Sequence, residues 1–353
     1  MIATREDLLQ WKLRAGRQAP ARVVLDLEAD SLHRYQEKIC LIQYADEEGV
    51  CLLDPLAMED MRAFTTWLSE SDIWMHGADY DMSLMLNGFN TLPHLILDTQ
   101  IAARLLGFRQ FGLAALVEHF YGIQLSKTNQ KADWGKRPIS QAMLEYAQSD
   151  VQYMLDMADK LCAELRSKGR YEWFLETCRH NMDRARERMA EESPDSWRIR
   201  GCGRLQRRGL AALKTLWTWR DREAQSWDKP SFMVCSNDDL LRWSTALQEG
   251  NSIAPHSRFH THRAARFLKA VETFHGMDEN DYPCRISRPR PAYDDQFETR
   301  LENWIQRRNE AAEKLDLDPS FVAPRAVMES IATNEETGFS HLLNWQREVM
   351  GIH

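Results

Sequence analysis

Nowhere in this 353-residue chain is there an apolar run of the roughly 18 residues that a membrane-crossing helix requires. The opening MIATREDLLQWKLRAGRQ is charged and amphipathic, unlike the apolar core of a signal peptide. Cys-x-x-Cys pairs are missing as well. The seven cysteines (Cys40, Cys51, Cys162, Cys178, Cys202, Cys235 and Cys284) are odd in number and scattered. That pattern excludes a zinc ribbon, argues against a disulfide framework and points to reduced thiols in a cytoplasm. No glycine-rich phosphate loop, low-complexity segment or sharp internal repeat is found, so neither a nucleotide-cradling loop nor a repeat array is expected.

What is there is ordinary for a globular protein, with 43% hydrophobic and 28% charged residues. The length allows two or three domains, each with its own core. The net charge of −8 weighs slightly against a nucleic-acid partner. Its distribution says more. Residues 1–180 carry 19 Lys and Arg against 26 Asp and Glu, whereas the remainder carries 26 against 27. An acidic N-terminal part suits a domain that gathers cations. Between Trp197 and Arg222, by contrast, Arg198, Arg200, Arg204, Arg207, Arg208, Lys214, Arg220 and Arg222 are opposed by Asp221 alone. Such a run is either a solvated helix face or a phosphate-binding patch, and the acids that lace a solvated face are missing.

Residues 1–18 have the pattern of a short helix. RVVLDLE, KICLIQYA and GVCLLDP are β-rich runs with short polar connections, which predicts an antiparallel meander. AMEDMRAFTTWLSE has helical spacing, DIWMHG suits a fourth strand, and DYDMSLMLNGF a helix closed near Gly88. HLILD is a fifth strand, with Asp98 and Thr99 placed to cap the helix TQIAARLLG. GLAALVEHFYG is a further helix stopped by Gly122, and SQAMLEYAQSDVQYMLDMADKLCAELRSKG is expected to be one long amphipathic helix. Strands followed by helix–strand alternation indicate an α/β domain with a mixed sheet. Beyond about residue 170 the β signal nearly vanishes. Pro194 marks a linker, and two helical units flank CRISRPRPAYDD.

One stretch poses a puzzle. VVLDLEADSLHRY sets Asp26, Glu28 and Asp30 at alternate positions of a strand whose Val23, Val24 and Leu25 belong in a core. Alternate residues of a strand share a face. Carboxylates near apolar surroundings are costly unless something positive meets them. HGADYDMSLM sets Asp81 where the chain turns from strand into helix, and EYAQSD sets Tyr146 and Asp150 four apart on one helical face. We expect Asp26, Glu28, Asp81 and Asp150 to converge on a pair of divalent cations. Hard oxygen ligands select Mg²⁺ or Mn²⁺, and such a pair serves phosphodiester hydrolysis.

DLEADSLHRYQEKICLIQ, HGADYDMSLM, LILDTQIAARLLG and EYAQSDVQYM together resemble the exonuclease motifs of the ribonuclease D family, the tyrosine-bearing branch of the DEDD exonucleases. The resemblance covers roughly residues 20–165 and implies an RNase H-like mixed-sheet fold with 3′→5′ exonuclease activity. It makes Asp26, Glu28, Asp81 and Asp150 the metal ligands and Tyr146 the residue that orients the attacking water. A phenol of ordinary pKa near 10 is a poor base at neutral pH, so a hydrogen-bonding role suits Tyr146 better than proton abstraction. The family's first motif often has Thr and Phe where Leu27 and Ala29 stand here. Leu27 should face away from the metals, while Ala29 bears on how a terminal base stacks.

The C-terminal part resembles the family's HRDC modules (helicase and RNase D C-terminal), small helical bundles associated with nucleic acid. The expected division is an exonuclease domain over 1–170, a helical linker over 171–196, and all-α HRDC-like domains over 197–280 and 290–353. Lys127, Lys131, Lys136 and Arg137 precede the last motif and are candidates to hold a substrate backbone, as are Arg204, Arg207 and Arg208 in the basic run. The resemblance implies RNA with a free 3′ end as substrate, such as tRNA precursors, with release of nucleoside 5′-monophosphates. Single-stranded DNA stays open as a substrate, and so does a non-catalytic nucleic-acid-binding role. No membrane is implied, and the sequence names no protein partner.

Other residues have plainer readings. Asp30 suits a strand-end carboxylate, Asp79 competes with Asp81 but is out of register, His76 suits a packed histidine and Asp98 a helix cap. His260 and His262 lack companions at metal-ligand spacing, while Arg258, Arg263 and Arg266 around them are possible phosphate contacts. Trp217, Trp219, Trp227 and Trp243 suit helical core, with base stacking as the alternative.

Overall fold

The computed structural model describes residues 7, 23–190, 195–286 and 294–352. The short helix expected over 1–18 and the Pro194 linker lie outside the described residues, as does most of the Pro- and Arg-rich stretch. The chain divides into two compact units. One comprises residues 1–29, 39–190 and 291–353, the other residues 30–38 and 191–290.

The first unit is built on a five-stranded sheet. Strands β1 (Val24–Ala29), β2 (Ile39–Asp46) and β3 (Gly49–Leu53) form the expected antiparallel meander. Helix α1 (Arg62–Glu70) leads to β4 (Asp72–Met75), then α2 (Asp79–Phe89) to β5 (Leu95–Asp98). Both later strands join in parallel, giving the order β3-β2-β1-β4-β5. The sheet is therefore mixed, and β1 lies at its centre with a partner on each side. Its Val24 and Leu25 are fully buried and Leu27 nearly so.

Helices α3 (Thr99–Leu106) and α4 (Leu113–Tyr121) follow, and the latter ends at Gly122 in the left-handed conformation. The expected long helix is broken in two: α5 (Gln141–Val151) and α6 (Met154–Ser167). The halves have different partners. The first packs over β1, β2 and β3, the second on α3 and β4. A turn between them lets each half pack on its own partners. The region expected to link the domains is a single helix, α7 (Tyr171–Ala190), packed on β5 and α2 rather than spanning a gap. Phe174 stacks on Trp74 of β4 at 5.8 Å.

The C-terminal helices complete this unit: α12 (Phe297–Leu315), α13 (Pro319–Val322), α14 (Arg325–Thr333), α15 (Glu335–Phe339) and α16 (Asn344–Val349). Arg170 donates to the carbonyls of Leu105 and Leu315 at 2.7 and 2.8 Å. The Trp173 and Trp345 rings stack at 5.3 Å, and Glu176 accepts the backbone N–H groups of Asn344 and Trp345. Most of these polar and aromatic contacts are buried or half-buried, so this bundle is part of the first unit's core.

In the second unit, α8 (Arg207–Trp227), α9 (Ser231–Val234), α10 (Asn237–Gln248) and α11 (Thr261–His275) enclose a separate core that includes Leu213, Trp219, Trp243 and Phe267. Both bundles begin alike. A long helix stops at an aspartate in the left-handed conformation, Asp228 in one and Asp316 in the other. Each is followed within three residues by Pro-Ser-Phe and a short helix.

Candidate active site

The first unit brings Asp26 and Glu28 of the puzzling stretch together with Asp81 and Asp150. On β1, Asp26 and Glu28 point away from the apolar side that Leu25 and Leu27 occupy, and the pairing with β2 slips between Glu28 and Ala29. Such bulges re-aim side chains at the edge of a site. Asp81 stands in the first turn of α2, where the unpaired N–H groups favour a negative side chain. Tyr146 and Asp150 lie one turn apart on α5. Carboxylate oxygens of Asp26, Glu28 and Asp150 lie within 4.8 Å of one another. Asp81 stands outside that triad but close enough to interact with Asp26 and Glu28.

Burial and mutual repulsion govern these acids. Burial lifts Asp26 to about 6, eased by the Leu27 N–H. Glu28 is lifted to about 10, first by burial and then by the charges of Asp26, Asp150 and Asp81, with Gln43 opposing. Burial and then Asp26 raise Asp150 to about 7, while a hydrogen bond from Tyr146 eases it. Asp81 rises for the same two reasons. The Tyr146 phenol is pushed above its usual range by burial, then by Asp150 and Glu28. It is thus a hydrogen-bond donor at neutral pH. Trp134, buried in a small core with Leu41 and Ala147, backs its ring at 6.0 Å.

The donor set fits a divalent cation of the hard kind. Oxygen ligands alone are offered, no lysine or arginine among the described residues eases their charge, and each is raised above its ordinary pKa. A group of acids arranged this way is stabilised by a bound cation in a way that a cluster paired with arginines would not be.

Two supporting residues carry more than their sequence suggested. Asp98 caps α3 through the Gln100 N–H at 2.7 Å, as expected. It also accepts the N–H groups of Gly77 and Ala78 at 2.9 and 3.0 Å, fixing the turn that launches α2 and Asp81. Gln43, fully buried on β2 directly opposite Asp26, is a neighbour of the acids that motif spacing does not mark. Its signal in the sequence is an amide inside the apolar run ICLIQYA. Asp98→Asn should weaken Mn²⁺ binding roughly 10- to 100-fold, because the amide nitrogen that replaces one oxygen cannot accept the N–H group bonded there and the charge is lost. Calorimetric titration with Mn²⁺ measures it, and wild-type affinity with only a lowered Tm would leave Asp98 a plain cap.

The remaining candidates separate clearly. Asp30 accepts the Lys38 N–H at 2.8 Å and closes the loop after β1. The Thr99 hydroxyl donates to the Met75 carbonyl and therefore accepts from His76 Nδ1, which ties the imidazole into the fold. Burial holds His76 below its usual pKa. Lys127, Lys131 and Lys136 are exposed. Arg137, expected on a substrate backbone, instead commits all five N–H donors to the protein: Asp54 twice, and the carbonyls of Trp134, Lys136 and Cys40. It clamps the segment that carries the lysines and has no donor left for a phosphate.

In the second unit Arg204 is exposed, whereas Arg207 bonds the carbonyls of Glu279 and Tyr282, and Arg208 that of Leu247. His260 caps α11 through the Arg263 N–H. Arg258 bonds the Val234 carbonyl, and Arg263 and Arg266 hold Glu223. Trp219 and Trp243 are core residues, while Trp227 is 45% exposed.

A mixed sheet with four acids converging from its central strand and two helices defines a nuclease of the 3′-5′ exonuclease class, and residues 1–166 match that domain family. The chain is 34% identical to ribonuclease D of Escherichia coli K12 over 69% of its own length and 65% of that protein. It is 30% identical to ribonuclease D of Musicola paradisiaca over 80% of its length and 77% of the relative. The solved structure of the E. coli enzyme, described as an exoribonuclease involved in structured RNA processing, superimposes with a TM-score of 0.74 at 25% identity, covering 99% of this chain and 96% of that one. This chain belongs to the ribonuclease D family. Among the described residues no helix is long and apolar enough to cross a membrane.

Proposed function

We propose that the chain is a 3′→5′ exoribonuclease that trims RNA 3′ ends, tRNA precursors or other structured RNA, and releases nucleoside 5′-monophosphates. The observation that carries this reading is the approach of Asp26, Glu28 and Asp150 to within 4.8 Å, with Asp81 beside them. These four acids would hold two divalent cations, Mg²⁺ or Mn²⁺. When bound, such a pair supplies Lewis acidity at the scissile phosphate and a lowered pKa for water.

The chain's own part follows from its protonation states. Ionised, the four acids offer only acceptors, so they orient cations and repel a wrongly seated phosphate. Tyr146 keeps its proton and donates to Asp150, which leaves its oxygen lone pairs to orient a water. Lys127, Lys131 and Lys136 supply positive charge for the substrate backbone, on a segment that Arg137 and Trp134 anchor. The HRDC-like helical modules grip the body of the RNA. Reduced thiols are consistent with a cytoplasmic protein, since all seven cysteines are free.

Matched 3′-overhang RNA and single-stranded DNA, both 5′-labelled, test this with Mn²⁺, Mg²⁺ or EDTA. The expected result is a metal-dependent ladder shortening from the 3′ end, faster on RNA. Faster DNA digestion would reassign the substrate, and binding with no shortening in any metal would leave a nucleic-acid-binding protein. Tyr146→Phe should lower kcat roughly 10- to 100-fold with Mn²⁺ affinity kept, since only the hydroxyl is lost. Turnover at the wild-type rate would remove Tyr146 from the reaction.

A further inference from the structure

Between α8 and α11 of the second unit runs a groove of about 620 Å³, lined in part by Lys214, Thr218, Arg222, Glu223, Arg266 and Lys269. A recess of about 300 Å³, faced by Trp227, His260 and Arg263, shares Glu223 and Arg266 with it. We infer that this continuous groove binds a single-stranded stretch of RNA, with phosphates along Lys214, Arg222 and Lys269 and one base stacked on Trp227. The inference rests on the reading above that the chain acts on RNA.

Charge is the first argument. The chain as a whole is acidic, at −8, yet the groove gathers four cations against Glu223 and the rim acid Asp281. Glu223 does not count against an anion. It is 4% exposed and held between Arg263, at 3.2 Å, and Arg266, at 2.8 Å, so two guanidinium groups outweigh one carboxylate. Lys214, Arg222 and Lys269 all lie exposed. Their long side chains have water to displace and phosphates to meet.

The second argument is the tryptophan. Trp219 and Trp243 of the same bundle are 6% exposed and build its core, whereas Trp227 is left 45% open at the end of α8. Its ring is not loose. The Arg263 guanidinium lies 4.6 Å from the ring centroid, and Arg263 is itself pinned by the buried Glu223. The indole is thus backed by a fixed cation while much of it faces solvent. That is a preformed stacking surface, which costs little ordering entropy when a flat ligand arrives. An acidic peptide would use the cations but gain nothing from the ring. A nucleobase joined to phosphates uses both, and only an unpaired strand can offer the face of a base.

Fluorescence anisotropy of a labelled single-stranded RNA with the full chain in EDTA tests the groove without turnover. Trp227→Ala should weaken binding roughly 10-fold or more, and Trp227→Phe should keep most of the affinity, because stacking tolerates any aromatic ring. Arg222→Gln combined with Lys269→Gln should reduce the slope of log K against log salt by about 1.4, as two lost phosphate contacts predict for a single strand. Unchanged affinity in Trp227→Ala and an unchanged slope in the double variant, each with wild-type Tm, would overturn the proposal. Displacement of the RNA by polyglutamate equally well from wild type and Trp227→Ala would also overturn it, in favour of an acidic protein ligand. Digestion by the wild-type chain is a separate readout, so a silent nuclease and an idle groove are told apart.

Discussion

Asp26→Asn is expected to cut exonuclease turnover about 10³-fold or more, and at the same time to raise the Tm of the metal-free chain. The loss follows from removing a charged ligand at the centre of the acid cluster. Charge stabilisation by a bound cation is worth several kcal/mol, and each 1.36 kcal/mol is tenfold in rate. The gain in stability has the same origin seen from the other side. Without cations, Asp26 is held at about 6 by burial and adds to the repulsion that lifts Glu28, Asp81 and Asp150. Replacing it with a neutral isostere relieves a cost of roughly 1–3 kcal/mol at pH 8, after allowance for partial exposure of the site. Initial rates on 5′-labelled RNA and thermal unfolding in EDTA measure the two halves. A variant that is inactive and less stable would mean that Asp26 is structural. One that is active would place the chemistry elsewhere.

The second large effect is the coupling of cation binding to pH. In the metal-free fold Asp26, Asp150 and Glu28 sit at about 6, 7 and 10, against ordinary values of 3.8, 3.8 and 4.5. Above about pH 4.5 the folded chain therefore binds more protons than the unfolded one, and metal-free stability falls as pH rises through 6 and 7. Cations need the ionised acids, so binding expels those protons and strengthens as pH rises. With Asp26, Asp150 and Glu28 all protonated, Mn²⁺ affinity should climb by up to about 1,000-fold per pH unit below 6, and more gently above 7, where Glu28 still holds its proton. The Tm gained from saturating Mn²⁺ should accordingly be small near pH 5 and largest near pH 8. A gain independent of pH would show that the acids titrate like isolated side chains.

Much of this site was legible because two periodicities are strict. A strand returns to the same face every second residue and a helix about every fourth, so Asp26 with Glu28 and Tyr146 with Asp150 could be paired from their numbers alone. The meander, the parallel strands and the α3 cap were legible for similar local reasons. The break between α5 and α6 was not. Buried residues at 147, 151, 154, 158, 161 and 165 keep helical spacing straight through it, so periodicity gives no sign of a turn made by tertiary packing. Helix α7 looked like a linker because its charged positions are many, although Phe174, Cys178, Met182 and Ala185 form a buried stripe. Arg137 shows the limit for single residues. Composition marks an arginine in a polar segment as free, and only the fold brings Asp54 and the Cys40 carbonyl to it.

The order in which the chain is made differs from the order in which its parts become complete. The central sheet and α7 are synthesised before the second unit, yet Leu315, Asn344 and Trp345, the partners of Arg170, Glu176 and Trp173, are synthesised after it. A whole domain is translated in between. Until then the growing chain carries a half-built nuclease core, with Trp173 and the Arg170 guanidinium lacking their C-terminal partners. The second unit's residues are local to one continuous stretch apart from 30–38, so it can close on its own schedule. The catalytic unit, by contrast, reaches its final form only after the second unit has been made.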